Sequence, residues 1–316
     1  HDVTGVTLKL WGGESDSGCC SVADVEDARR VAAQLGIPHY VFNFGDDFDR
    51  QVVGPYVDEY AAGRTPNPCV ECNRSIKFGR LLDRADAMGF DAVATGHHAR
   101  VRRDPGGRVR LVRGADRAKD QSYVLYMLRQ EQLERVLLPV GELTKADVRA
   151  HATRLGLRTA AKPESMDVCF ITRGDRERFL AARAPTTPGP VVDTAGSEVG
   201  RHDGVIGFTV GQRRGLGVAA GQRRYVLDVD APTATVTIGT RDDLLRGEVA
   251  LEGLTFVDGP PPGHDLLVQV RAHGAPVGGH LDDGRVRFER PQPRVAPGQV
   301  VALYDGDTLL GGGIAA

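Results

Sequence analysis

The chain has 316 residues, 41% of them hydrophobic and 26% charged, with a formal net charge of −2. That length is too great for one ordinary core and predicts two or three domains, while the composition excludes a fibrous or disordered chain. No apolar run reaches the roughly 20 residues that cross a bilayer and no signal-peptide pattern opens the chain, so a cytoplasmic protein with no membrane partner is expected.

In chain order, Val6, Leu8 and Leu10 alternate with polar residues as a strand does, and Gly12 and Gly13 stop it. Ser21 and Asp24 have capping-box spacing, and Val25, Ala28, Ala32 and Leu35 continue as a helix up to Gly36. "IPHYVFNF" predicts a second strand, and the segment around Phe48, Val52 and Val57 a helix kinked at Pro55. Phe78, Leu81, Leu82, Ala85 and Met88 line one helix face, "FDAVATG" reads as a buried strand, and "RVRLVRG" as part of a hairpin. Residues 121–135 and 144–155 predict two more helices, the second opened by Thr144 and Asp147. Strands alternating with helices predict an α/β domain with a parallel sheet covered on both faces.

From about residue 183 the pattern changes. "APTTPGPVVD" is a proline-rich connection, and residues 196–224 are glycine-dense, with "GQRR" at both Gly211 and Gly221. Beyond residue 236 the short runs "VTIG", "DLLVQVRAHG", "RVRFER" and "QVVALYDG" alternate between turns, which predicts a small antiparallel barrel or sandwich. Three domains follow: residues 1–172, 173–238 and 239–316. The chain begins at His1 with no lead-in before its first strand, so earlier elements are expected to be missing.

Two basic clusters stand out against the near-neutral total. Eight Arg or Lys lie between Arg100 and Lys119 against Asp104 and Asp116, and Arg213, Arg214, Arg223 and Arg224 lie among glycines. Either alone reads as a solvated face; together they predict a polyanionic partner.

Five cysteines, an odd count without a secretory signal, favour reduced thiols over a disulfide framework. Cys69 and Cys72 form one C-x-x-C pair in "TPNPCVECNRSIKF". A zinc site would need a second pair, and Cys19 and Cys20 are adjacent while Cys169 stands alone. A thioredoxin-like pair would follow a strand rather than a proline turn. Buried small hydrophobes remain the ordinary role for Cys19 and Cys20. Cys72 is expected at or near a helix N-terminus, where the dipole, Arg74 and Lys77 favour a reactive thiolate.

Seven segments taken in order carry a resemblance: "GRTPNPCVECNRSIKFGRLL", "ATGHHAR", "KDQSYVLYML", "LPVGELTKADVR", "MDVCFI", "GFTVGQRRGLG" and "PGQVVALYDGDTLLGGGI". From His1 to Ile314 the chain resembles the tRNA-specific 2-thiouridylases. The resemblance implies an N-terminal ATP-pyrophosphatase domain of Rossmann-like layering, a small central domain and a C-terminal β-barrel. It implies an enzyme, a sulfurtransferase that uses ATP with Mg²⁺ to adenylate O2 of the tRNA wobble uridine, after which persulfide sulfur displaces AMP. It also implies a cysteine desulfurase or sulfur-relay protein as the donor. On matching positions Cys169 carries the persulfide and Cys72 is the nucleophile, with a disulfide between them closing the cycle. Asn67, Pro68 and Cys69 match the segment around the target base, although many members have Asp where this chain has Cys69. Leu8 and Gly96 match positions near the nucleotide. His97, Lys119, Asp120, Gln121, Arg271, Ala272 and Gln299 match positions that contact tRNA.

The family's glycine-rich S-G-G-x-D-S phosphate loop has no match. "GGESDSG", Gly12 to Gly18, carries an extra residue and Trp11 in place of serine, and reads as a surface loop. Each charge-assisted contact is worth roughly 1.5–3 kcal/mol, so losing several predicts ATP binding weaker by orders of magnitude and a chain inactive alone. Two other readings compete: an ATP-pyrophosphatase that adds nitrogen to an adenylated carbonyl, and a non-catalytic tRNA-binding protein.

Overall fold

The structure, a computed structural model, describes residues 1–10, 22–162, 168–171, 174–218, 221–261, 265–272 and 274–316. Gly12 to Gly18, Cys19, Cys20, Ser21, Met166 and Asp167 therefore lie outside the described residues.

Strands β1 (Gly5–Lys9) and β2 (His39–Asn43) pair in parallel from Gly5↔His39 to Lys9↔Asn43, with helix α1 (Val22–Leu35) between them in sequence. Gly36, at φ +69°, ends that helix in the left-handed region that glycine adopts without steric cost. Next come α2 (Gly45–Phe48), a π-type stretch Asp49–Val53, and α3 (Gly54–Ala61). The kink expected at Pro55 takes this form: proline offers no N–H, and the hydrogen-bond register widens just before it. α4 (Pro68–Glu71) likewise runs through a π-type stretch, Cys72–Arg80, into α5 (Leu81–Ala87).

The next strands are β3 (Val93–Ala94), β4 (Ala99–Arg103) and β5 (Val109–Arg113), followed by α6 (Gln130–Leu133), β6 (Val136–Leu137) and α7 (Lys145–Arg154). β3 and β6 pair in parallel through Val93↔Val136. One continuous parallel sheet was expected; among the described residues no ladder joins this pair to the β1–β2 pair. The layering is Rossmann-like, built from two short parallel pairs. The helix expected over 121–135 is also absent as such. Tyr123, Leu125, Tyr126, Met127 and Leu128 are all buried, leaving no polar face, and the chain forms a 3₁₀ turn at Ser122–Leu125 before α6. α7 starts as its sequence predicts, with Thr144 Oγ1 accepting from the Asp147 N–H at 3.1 Å and Asp147 Oδ2 accepting from the Thr144 N–H at 2.9 Å.

After α8 (Arg176–Ala181), strands β7 (Gly189–Val192), β8 (Glu198–His202), β9 (Tyr225–Asp230) and β10 (Thr235–Gly239) form a four-stranded sheet in the order β8-β7-β10-β9. β11 (Leu245–Phe256), β12 (Leu266–Gln269), β13 (Val277–Asp282), β14 (Arg285–Pro293), β15 (Val300–Asp305) and β16 (Thr308–Ala315) form an antiparallel barrel closed by β11–β16. The β4–β5 hairpin adds to this barrel through Thr308↔Val112 and Leu309↔Leu111. It therefore crosses the boundary expected at residue 172.

The cores follow the same crossing. One cluster joins Phe78, Leu111, Tyr123 and Leu128 to Val300 and Tyr304 of the barrel. Fully burying a large apolar side chain is worth roughly 1.5–3 kcal/mol, so the barrel and the first domain hold each other in place. A second cluster packs Phe48, Val52, Cys72, Ile76 and Phe170 together.

Candidate functional site

The two cysteines assigned to sulfur chemistry come from segments nearly a hundred residues apart. The second core cluster unites them: Cys72 is one of its buried members, and Cys169, half-buried, packs against it. Phe170 fixes that approach, its ring edge-on to Phe48 and to Tyr56 with centroids 5.5 Å apart in each case. The expected Cys72–Cys169 disulfide is not present; Cys69, Cys72 and Cys169 are thiols with no bridge among them. No three His, Cys, Asp or Glu side chains stand close enough to share a metal ion among the described residues.

Cys72 lies near the helix N-terminus, as expected, but not in its first turn. Asn67 is the N-cap, its Oδ1 accepting from the Cys69 N–H at 3.1 Å, and Pro68 takes the first turn with its missing N–H costing nothing there. Cys69 thus occupies the first turn and Cys72 the second. Arg74 is not dedicated to a thiolate either: it donates to Glu71 Oε2 at 3.0 Å and to the Tyr126 hydroxyl at 3.2 Å. Asn73, which the sequence did not single out, is buried beside Cys72 and donates to the Val124 carbonyl at 3.1 Å, while its Oδ1 has no hydrogen-bond partner among the described residues.

The segment before the cysteines is held by the barrel. The Thr65 N–H donates to the Pro297 carbonyl at 2.7 Å, and the Gln299 amide donates to the Thr65 carbonyl. Gly298 sits between them at φ +87°, where a Cβ would come within 3.0 Å of the Thr65 nitrogen. Arg64 pairs with Glu59 at 2.6 Å and with Glu252 of the barrel. A cavity of about 240 Å³ opens at this junction, lined by Tyr56, Asn67, Pro68, Glu71, Arg74 and Glu252 among others.

Lys119, Asp120 and Gln121 are tied to the barrel through a buried ion pair. Arg113 Nη1 donates to Asp120 Oδ2 at 2.9 Å and to Gln269 Oε1 at 2.6 Å, and its guanidinium lies 3.6 Å over the Tyr304 ring. Asp120 also accepts from the N–H groups of Gly114 and Ser122 and from the Ser122 hydroxyl. Gln269 Nε2 donates to the carbonyls of Arg271 and Ala272, both at 3.0 Å. One network thus sets two of the segments expected to meet tRNA. Asp120 itself, expected among the contacts, turns its carboxylate inward, whereas Gln121, Arg271 and Ala272 are exposed. Lys119 is half-buried. Arg113, Gln269 and Tyr304 carry no sequence signal for this role, since Arg113 looks like one more basic residue of the hairpin.

His97, also expected to contact tRNA, is buried. Its Nδ1 shares a hydrogen bond with Thr95 Oγ1 at 2.7 Å, and its ring centroid is 5.7 Å from that of Phe78. Burial first, then Lys77 and His98, push its pKa down to about 3, so it is a neutral imidazole. Leu8 packs half-buried against the second cluster, and Gly96 is open, with nothing within 4 Å of a Cβ placed there. These two positions present an apolar surface and an uncrowded backbone.

The first basic cluster is largely used internally. Arg100 and Arg102 face Glu142, Arg108 and Arg110 face Asp258, and Arg117 faces Asp307. Arg213, Arg214 and Arg223 are exposed and make no ion pair among the described residues; Arg213 and Arg223, with Arg224, Leu216, Val218 and Gln222, line a cavity of about 610 Å³.

Comparison with known proteins places this arrangement. Three family models match in order: "tRNA methyl transferase HUP domain" over residues 1–173, "tRNA methyl transferase PRC-barrel domain" over 177–240 and "Aminomethyltransferase beta-barrel domain" over 246–315. A tRNA-specific 2-thiouridylase of Roseiflexus sp. is 49% identical over 343 residues, covering 99% of this chain and 92% of the relative. Those of Chloroflexus aggregans and Mycobacteroides abscessus are each 48% identical, covering 99% of this chain and 91% and 92% of the relatives. With matched domains from end to end and relatives this close, the chain belongs to the tRNA-specific 2-thiouridylase family of tRNA-modifying sulfurtransferases.

Proposed function

We propose that the protein carries out 2-thiolation of the wobble uridine of tRNA by a two-thiol route. The observation that carries the reading is the packing of Cys169 against the core cluster that contains Cys72, a convergence of two segments that sequence distance alone would not produce. In this reading Cys169 holds the persulfide and Cys72 is the second thiol. ATP, with Mg²⁺, supplies the adenylyl group that turns uridine O2 into a leaving group; Leu8 and Gly96 lie beside its nucleoside.

The base is brought to the segment of Asn67, Pro68 and Cys69, beside the cavity between the first domain and the barrel. Gln121, Lys119, Arg271 and Gln299 guide the tRNA, with Asp120 and the Ala272 carbonyl acting through the Arg113–Gln269 network. His97 supports the floor of the site as a neutral buried group. Residues 1–172, 173–238 and 239–316 form the catalytic, central tRNA-contacting and barrel domains. A cysteine desulfurase or relay protein of the cytoplasm charges Cys169.

The family-model descriptions speak of methyl transfer. Two core-linked thiols favour sulfur transfer instead, and mass spectrometry of digested tRNA nucleosides separates the two. Incubation with ATP, Mg²⁺, tRNA and a persulfide donor is expected to yield 2-thiouridine, and Cys169→Ser to abolish it. Undiminished product from Cys169→Ser would refute the route, and a non-catalytic tRNA binder would give no product at all.

A further inference from the structure

Cys69 stands one helical turn before Cys72. Cys69, Cys72 and Ile76 are spaced three and four apart and so share one helix face. Cys72 and Ile76 from that face lie in the cluster that Cys169 packs against. Tyr56 ties Cys69 to the same place: its ring meets Phe170, the neighbour of Cys169, at 5.5 Å. Its phenol is held in the neutral form by burial, then by Tyr60, with the charge of Cys69 a smaller contribution. Cys72 and Cys169 therefore meet at one core cluster, and Cys69, one helical turn from Cys72, is half-buried.

We infer that Cys69 is a resolving thiol: it takes over the disulfide left by sulfur transfer and returns Cys169 to its reduced form. The inference rests on the two-thiol route proposed above. When Cys72 has displaced the thiolated product from Cys169, the two sulfurs are joined as a disulfide. The Cys69 thiolate then attacks the Cys72 sulfur; the Cys69–Cys72 bond forms, the Cys72–Cys169 bond breaks, and its electron pair leaves on Cys169 as thiolate. No net oxidation occurs in the exchange. An external thiol of the glutathione or dithiol class later reduces the Cys69–Cys72 pair.

Residues three apart on a helix have Cβ atoms about 5–6 Å apart, and a disulfide needs about 3.5–4.5 Å, so closure must draw in the first turn. The helix begins at Pro68 and its hydrogen-bond register changes at Cys72, so the segment that must move is one turn long. Because the three thiols do not stand as one cluster, the exchange is pairwise and sequential.

The test is disulfide mapping by mass spectrometry after turnover with ATP, Mg²⁺, tRNA and a persulfide donor, quenched with a thiol-blocking reagent and without added reductant. Cleavage after Arg64 and Arg74 puts Cys69 and Cys72 in one peptide, so their bridge shows as the loss of two hydrogen atoms from it. Wild-type protein is expected to accumulate this internal bridge, and Cys69→Ser and Cys69→Ala the Cys72–Cys169 cross-link. Added dithiothreitol should raise the steady-state rate of both variants about tenfold more than that of wild type. If wild type holds the Cys72–Cys169 link as persistently as the variants do, or dithiothreitol acts equally on all three, the role of Cys69 is overturned while the two-thiol route stands. If thiouridine forms with no disulfide in any of them, the two-thiol route falls and this inference with it.

Discussion

The two basic clusters look alike in sequence and end in opposite situations. Between Arg100 and Lys119 the cations meet carboxylates of their own chain, and Arg113 is buried with Asp120 beneath the barrel. In the glycine-dense loop Arg213, Arg214 and Arg223 stay in solvent, Arg213 and Arg223 at the lining of an open cavity. Counting charges therefore does not tell the two apart. What separates the clusters is the supply of nearby acids: Glu142, Asp258 and Asp307 come from elsewhere in the chain to face the first, while the second forms no ion pair among the described residues, Arg224 acting on the Asp243 carboxylate.

The contrast can be broken at its strongest point by Arg113→Met. That change leaves Asp120 buried and uncompensated and is expected to cost about 3–5 kcal/mol in denaturant unfolding, with much of it restored by adding Asp120→Asn. A loss below 1 kcal/mol would show that the buried network does not hold the fold. Next in size, Arg213→Glu with Arg223→Glu is expected to weaken tRNA binding roughly 30- to 100-fold at moderate salt and to flatten its salt dependence, leaving stability unchanged. Unchanged binding would exclude the second cluster from the tRNA footprint.

A smaller effect tests the interior beside the buried network. His97 stays neutral in the fold down to about pH 3, while its ordinary value is 6.5. Between those values the unfolded chain holds one more proton, so stability falls as pH drops, by about 1.4 kcal/mol per unit, and is flat above 6.5. The His97→Gln variant is expected to lose that part of the slope; equal slopes in both proteins would mean that His97 is solvated. Smallest of all, Arg102→Ala removes an exposed pair with Glu142 and is expected to cost under about 1 kcal/mol and to leave tRNA affinity within a factor of about three.

The sequence shows some of this directly and hides the rest for physical reasons. The capping box at Thr144, the stop at Gly36 and the alternating barrel strands from "DLLVQVRAHG" onward follow from local rules and are present as read, whereas "VTIG", expected in the barrel, forms β10 of the central sheet, because alternation marks a strand but not the sheet it joins. The segment 121–135 misleads because burial on every side erases the periodicity that marks a helix. The β4–β5 hairpin is legible as a hairpin, but its partner, β16, lies two hundred residues on and leaves no local trace. At the site, the thiol-bearing segments are recognisable, whereas the inward turn of Asp120 and His97 and the anchoring roles of Arg113, Gln269 and Asn73 depend on contacts that only the fold creates. Gly298 is a middle case: glycine between proline and glutamine hints at a turn, yet the reason for it is the close approach of Thr65.

The central claim is that sulfur enters on Cys169 and leaves with the help of Cys72. Its most direct measurement is the position of the protein-bound persulfide, mapped by alkylation and peptide mass spectrometry after charging with a persulfide donor in the absence of tRNA. The account predicts the extra sulfur on Cys169 in wild type and in Cys72→Ser, and none on the protein in Cys169→Ser. A persulfide found on Cys72 in all of these proteins except Cys72→Ser, with Cys169 unmodified, would contradict it.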